Sequence, residues 1–230
     1  VVRRVTSYFE RSFPHAEIRV TSDLEIALEA AFGRGEGILL LAGTGSAAFG
    51  RDADGRTARA GGRGPWFSDE GGAFDIGREA VRAVSLADER RGPETALTKK
   101  IISPHHWRDW TLLFEAVSKN ADDVFPKVFP FVAQLADKGD AVSQQILAGA
   151  AEALAGLARA VAKDLGWMER AFDIAKWGGV YGHSKFFDTA IEEEVIKVLP
   201  RARLIGIDIS PAEAAVRMAA RELRAKGNAA

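Results

Sequence analysis

The chain has 230 residues, 47% of them hydrophobic, with 31 lysines and arginines against 32 aspartates and glutamates and no cysteine. At roughly 150 residues per domain this makes one large or two small domains, and the apolar share excludes a disordered or collagen-like chain. A net charge of −1 leaves no electrostatic footprint for nucleic acid or an anionic membrane, and the lack of thiols excludes disulfide scaffolds, thiolate zinc sites, iron–sulfur clusters and cysteine nucleophiles.

Residues 1–13 keep helical spacing through Val5 and Phe9 and stop at Pro14. Charged residues interrupt this segment at once, so it is not a secretory signal. With no initiator Met, the opening on Val1 reads as part of a longer protein. Ile18–Thr21 is strand-like. Ser22 with Glu25 has the form of a capping box, which predicts a helix to Phe32. Gly37–Ala42 is a continuous apolar run, the pattern of a strand covered on both faces. After Gly43-Thr44-Gly45-Ser46, the Asp54-Gly55 pair marks a hairpin between residues 47–51 and 56–60. Gly61-Gly62-Arg63-Gly64-Pro65 is a second glycine loop, and a helix is expected from Asp69 to Arg90.

Residues 94–167 read as nearly all helix, in pieces near 107–118, 122–138 and 140–167, with Pro126 and Pro130 expected to distort the second. No apolar run approaches the roughly 20 residues of a spanning helix. Phe172–Trp177 is strand-like and meets Gly178-Gly179. A helix over 184–199, a strand over 203–208 and a last helix opened by Ser210-Pro211 follow. The order predicts an α/β unit carrying a helical block.

Two kinds of residue bear chemistry. A buried strand ending in Gly-Thr-Gly-Ser is equally a tight turn or a phosphate cradle, since glycine lets amides approach a ligand closely. Asp23, at the first turn of a helix, serves either the helix dipole or proton abstraction from a hydroxyl; Asp69 stands in the same position. Gly178-Gly179 repeats the strand-into-glycine arrangement where open α/β sheets bind nucleotides. His105 and His106 are adjacent and cannot share a metal on a helix, and Glu192–Glu194 reads as a solvated face.

In series, Thr21-Ser22-Asp23, Gly43-Thr44-Gly45-Ser46, residues 54–64, Ser68-Asp69-Glu70-Gly71 and Gly178-Gly179-Val180 resemble the N-acetylglucosamine kinases of the BadF/BadG/BcrA/BcrD ATPase family, in the actin and hexokinase superfamily. The resemblance implies an α/β fold of ribonuclease-H-like lobes with a helical block. Residues 1–42 would be the remainder of an incomplete first lobe. Residues 43–230 would form the C-terminal lobe, with a helical insertion at about 94–167. It further implies ATP with Mg²⁺ and phosphoryl transfer to the 6-hydroxyl of an amino sugar, in the cytoplasm, with no nucleic-acid or membrane partner and room for a homodimer.

By position, Asp23 matches the sugar-binding aspartate and catalytic base. Ser46, Ala47, Gly62, Arg63, Gly64 and Asp69 match sugar contacts. Gly43, Thr44 and Gly45 match a phosphate loop, and Gly178, Gly179 and Ser184 an adenosine-binding segment; no metal ligand is carried over. Arg63 stands where these kinases often have Trp, Ser68 where Gly is common, and Gly72 where Ser is common. The Asp-Gly-Gly-Gly-Thr loop that helps to place Mg²⁺ in this family is not among these 230 residues, so the expectation is an inactive fragment. The alternatives are a non-catalytic sugar sensor of the same fold and a family ATPase for another substrate such as glucosamine. An iron–sulfur-bearing activator ATPase is opposed by the absence of cysteine.

Overall fold

The computed structural model describes residues 2–103, 105–207 and 209–227. Its centre is β1 (Gly37–Ala42), whose uninterrupted apolar run is explained by burial on both faces. Ile38, Leu40 and Ala42 enter a large core made with the helical block, while Leu39 faces a smaller cluster with Leu24, Ala27 and Leu28. The period of two along a strand divides one sequence between two cores.

β2 (Ser46–Arg51) and β3 (Thr57–Gly61) continue from β1 as an antiparallel meander, while β4 (Phe172–Trp177) and β5 (Ala202–Ile205) lie parallel to β1 on its other side. The order β3-β2-β1-β4-β5 is the ribonuclease-H-like arrangement that the family resemblance implies. Because β1 is hydrogen-bonded to both β2 and β4, a lobe boundary between residues 42 and 43 would cut the sheet through its middle. The lobe therefore takes in residue 37, and the expected division is corrected to a point before β1.

On one face lies α2 (Asp23–Phe32), started by the capping interaction of Ser22 with the Glu25 amide at 3.1 Å. On the other lie α3 (Ala73–Asp88), α5 (Trp110–Ala136), α6 (Ala141–Asp164) and α7 (Lys185–Val198), with a short α4 (Leu97–Ile101) beside them. Among the described residues α6 is the one helix long and apolar enough to cross a membrane. Its Leu147, Ala151, Leu154, Ala158 and Val161 are instead core residues of this lobe.

Several expectations need correction. Ile18–Thr21 forms no regular element and joins no sheet among the described residues. A strand requires a partner, and this segment lies in a groove between α1 (Val2–Ser12) and α8 (Pro211–Gly227). The helix expected from Asp69 starts four residues later, because Asp69 and Glu70 belong to a turn whose Gly71 has φ +81°. The helices expected at 107–118 and 122–138 meet as α5, broken at Asn120 (φ −161°, ψ 89°) rather than at either proline. Asp208, the end of the expected last strand, lies outside the described residues.

Candidate active site

The site is built at the carboxyl ends of β1 and β4. Parallel neighbours end on the same edge of a sheet, and open α/β sheets bind ligands there. Leaving β1, the Gly43–Ser46 turn is closed by the Gly43 amide donating to the Gly45 carbonyl at 2.9 Å. The start of α3 then clamps it: the amides of Ala73 and Phe74 donate to the carbonyls of Gly43 and Thr44 at 2.8 and 3.0 Å. The outer side stays open. Thr44 is exposed, and its hydroxyl has no protein partner among the described residues.

Gly178 closes the gap between the two strand ends. At φ +117° it lies so near β1 that a Cβ would run into the Ala42 carbonyl, and the Val180 amide donates to that same oxygen at 3.0 Å. Packing alone thus requires glycine at 178. It does not at Gly43 or Gly179. Neither has a positive φ, and a Cβ on either would enter open space. Both glycines thus leave open space beside the backbone at the strand ends.

Asp69 brings a carboxylate to this edge. Its Oδ1 accepts from the Gly64 amide at 3.3 Å, and its Oδ2 occupies the space where a Gly45 side chain would stand. Burial raises its pKa above the ordinary carboxylate range, aided by Glu70 and Asp75 and opposed by the Gly64 amide and Arg59. The loop leading to it is fixed by its own backbone. The Gly62 amide donates to Ser68 at 3.2 Å, the Phe67 and Ser68 amides both donate to the Gly64 carbonyl at 3.1 Å, and Arg59 donates to the Gly62 carbonyl at 2.8 Å. Gly61, Gly62 and Gly64 all have positive φ, which is how three glycines within four residues become necessary. Arg63 is exposed at the loop's crest.

Asp23 reaches the same edge by a different route. The tight connection over 33–36 folds α2 back along β1, so the helix start and the strand end lie together. Asp23 is exposed, and its Oδ1 accepts only from the neighbouring Leu24 amide, at 2.9 Å.

The structure therefore gathers Gly43, Thr44, Gly45, Gly62, Arg63, Gly64, Asp69, Gly178 and Gly179 into one contiguous edge, with Asp23 at the same end of the sheet. It does not present three other side chains there. Ser46 is buried and its hydroxyl donates to the Glu70 carbonyl at 2.6 Å, while Ala47 is buried under α2. Ser184 is the N-cap of α7, accepting from the Phe187 amide at 3.2 Å and donating to Asp137 at 2.7 Å. Asp137 also accepts from the Lys185 and Phe186 amides; these bonds outweigh the opposing effect of desolvation and hold its pKa below the ordinary range. Sequence reasoning missed both Asp137, which stabilises the helix following the Gly178-Gly179 turn, and Trp66, an exposed indole in the glycine loop. Two consecutive large apolar residues within a glycine-rich stretch were the available signal for the latter.

Sheet order and open turns together define a lobe of the actin and hexokinase type. The chain matches the BadF/BadG/BcrA/BcrD ATPase family over residues 3–216 and belongs to it. It is 30% identical over 210 residues to an N-acetylmuramic acid/N-acetylglucosamine kinase of Clostridium acetobutylicum, covering 90% of this chain and 68% of that protein. It is 27% identical over 187 residues to an N-acetyl-D-glucosamine kinase of Dictyostelium discoideum, covering 80% of this chain and 59% of that one. Its fold is shared with a solved structure assigned as an N-acetylglucosamine kinase from Chromobacterium violaceum, at TM-score 0.72 and 23% identity over 94% of this chain and 71% of that chain.

Proposed function

We propose that this chain carries the phosphate- and sugar-binding edge of an ATP-dependent kinase acting on an amino sugar, with N-acetylglucosamine and its 6-hydroxyl as the favoured acceptor. The supporting observation is the contiguity of Asp69, Gly45, Gly43 and Gly178, in which a carboxylate abuts an open turn at paired strand ends. The names of the two curated relatives support the choice of sugar.

Phosphoryl transfer requires positioning and charge stabilisation more than covalent help. Bound ATP supplies the phosphoryl group, and its Mg²⁺ offsets the phosphate charge. The Thr44 and Gly45 amides and the Thr44 hydroxyl hold phosphate oxygens, and the open Gly179 leaves space beside them. Asp69 accepts from sugar hydroxyls, with the Gly62–Gly64 main chain alongside. Asp23 takes the proton of the attacking hydroxyl. Among the described residues no three His, Asp or Glu side chains lie close enough to hold a metal by themselves. We place the reaction in the cytoplasm, where ATP is supplied.

Calorimetric titration of N-acetylglucosamine, and separately of a non-hydrolysable ATP analogue, tests the reading. Both should bind. An ADP-release assay should show no turnover by these 230 residues alone, because the Asp-Gly-Gly-Gly-Thr loop is not among them. Sugar binding without nucleotide binding would favour the sensor, and binding of neither would overturn the proposal.

A further inference from the structure

The glycine loop carries two aromatic side chains that folding does not use. Trp66 is 63% exposed and Phe67 is 81% exposed, whereas the loop beneath them is tightly bonded. Contiguous apolar surface left exposed by folding is a mark of interaction sites and ligand grooves. The two differ in one respect. Phe67 has no ring partner among the described residues, while the Trp66 indole stands edge-on to Phe74, with centroids 5.5 Å apart and planes at 79°. Phe74 in turn packs on Phe125 and is fully buried.

The indole therefore rests against the core through Phe74, with most of its surface left to solvent. Its position is informative. The Phe74 amide donates to the Thr44 carbonyl, so the residue that orients Trp66 is bonded directly to the open turn. Three residues beyond Trp66 stands Asp69, whose carboxylate is tied back to Gly64 of the same loop. An aromatic face and a carboxylate on one rigid loop match a ligand with hydroxyls on one part and C–H groups on another. Binding sites of this kind combine apolar contact area with a few placed polar groups.

We infer that Trp66 is a specificity-determining contact for the N-acyl substituent of the sugar, its indole receiving the acyl methyl group while Asp69 receives the hydroxyls. This deepens the kinase reading and rests on it.

The test is calorimetric titration of N-acetylglucosamine and of glucosamine, which lacks the acyl group, onto the wild-type chain and onto Trp66→Ala, Trp66→Phe and Phe67→Ala. Circular dichroism confirms folding of each variant. Trp66→Ala should weaken N-acetylglucosamine about tenfold, as expected for loss of one aromatic contact with an apolar group, and glucosamine by less than about twofold. Trp66→Phe should recover most of the difference, and Phe67→Ala should leave both affinities within about twofold. Unchanged N-acetylglucosamine affinity in Trp66→Ala, with the wild type binding normally, overturns this inference and leaves the kinase reading standing. Equal losses for both sugars overturn the assignment to the acyl group. Failure of the wild type to bind either sugar overturns the inference and the reading together.

Discussion

Asp69 and the glycines of the binding edge have separable effects on folding and on binding. Burial raises the Asp69 pKa in the folded state, so the folded protein favours the protonated acid relative to the unfolded chain. The sign follows from linkage: stability is greatest below the unfolded carboxylate value near 4 and declines as pH rises through the higher folded value. Asp69→Asn removes that cost while its amide oxygen can still accept from Gly64. At pH 7 its melting temperature should equal or exceed the wild type's, yet N-acetylglucosamine should bind roughly 10- to 100-fold more weakly for want of a charged acceptor; calorimetry beside a thermal melt checks both. The glycines give a second contrast. Gly178→Ala adds a side chain against the Ala42 carbonyl at a left-handed φ and should cost about 1–3 kcal/mol in a denaturant titration. Gly179→Ala enters open space, so it should leave stability unchanged while weakening the ATP analogue. Sequence alone showed these glycines as equals. Their difference depends on which backbone lies opposite, and only the folded strand ends reveal that.

Elements were legible where their signal is local. The capping serine of α2, the double burial of β1, the hairpin between β2 and β3 and the cap of α7 all follow from residues within a few positions of one another. Ile18–Thr21 misled because alternation describes a strand's faces but not its neighbours, and pairing is a long-range property. Ser46 and Ser184 misled for a related reason. A hydroxyl beside a glycine turn looks available until Glu70 or Asp137, distant in sequence, is found to hold it. Asp137 makes this testable. Its pKa is depressed in the folded state, so its stabilisation is present above the unfolded carboxylate value and is lost as pH falls through the folded one. Asp137→Ala should lower stability by about 1–2 kcal/mol at pH 7, as loss of a helix-end acceptor does. The gap from wild type should narrow in melts taken at progressively more acid pH below 4.

At the scale of the whole molecule the interior is divided unevenly. The large cluster joins the sheet to α3, α5, α6 and α7, whereas α1 contributes no buried residue and, with residues 15–21 and α8, borders an apolar groove of about 690 Å³. Arg221 of α8 pairs with the buried Glu29 of α2, which ties that helix to the sheet's other face. Protection from exchange scales with local burial. Hydrogen exchange followed by mass spectrometry should therefore find α1 amides exchanging near the rate of an unfolded peptide while those of β1 persist longest; equal protection of the two would contradict this division of the core.

The contact of β4 with β1 also has a consequence in time. Tyr181 donates to the Leu40 carbonyl across 141 residues of sequence, and Gly178 abuts Ala42 across nearly as long an interval, with the whole helical block between them. A nascent chain emerging from the ribosome exposes the apolar β1 long before its parallel neighbour has been synthesised. Closure of so large a loop is slow, so the late docking of β4 governs when the Gly43–Ser46 turn acquires its far wall. During that interval β1 presents an unpaired edge, the moment at which this protein would depend most on a chaperone.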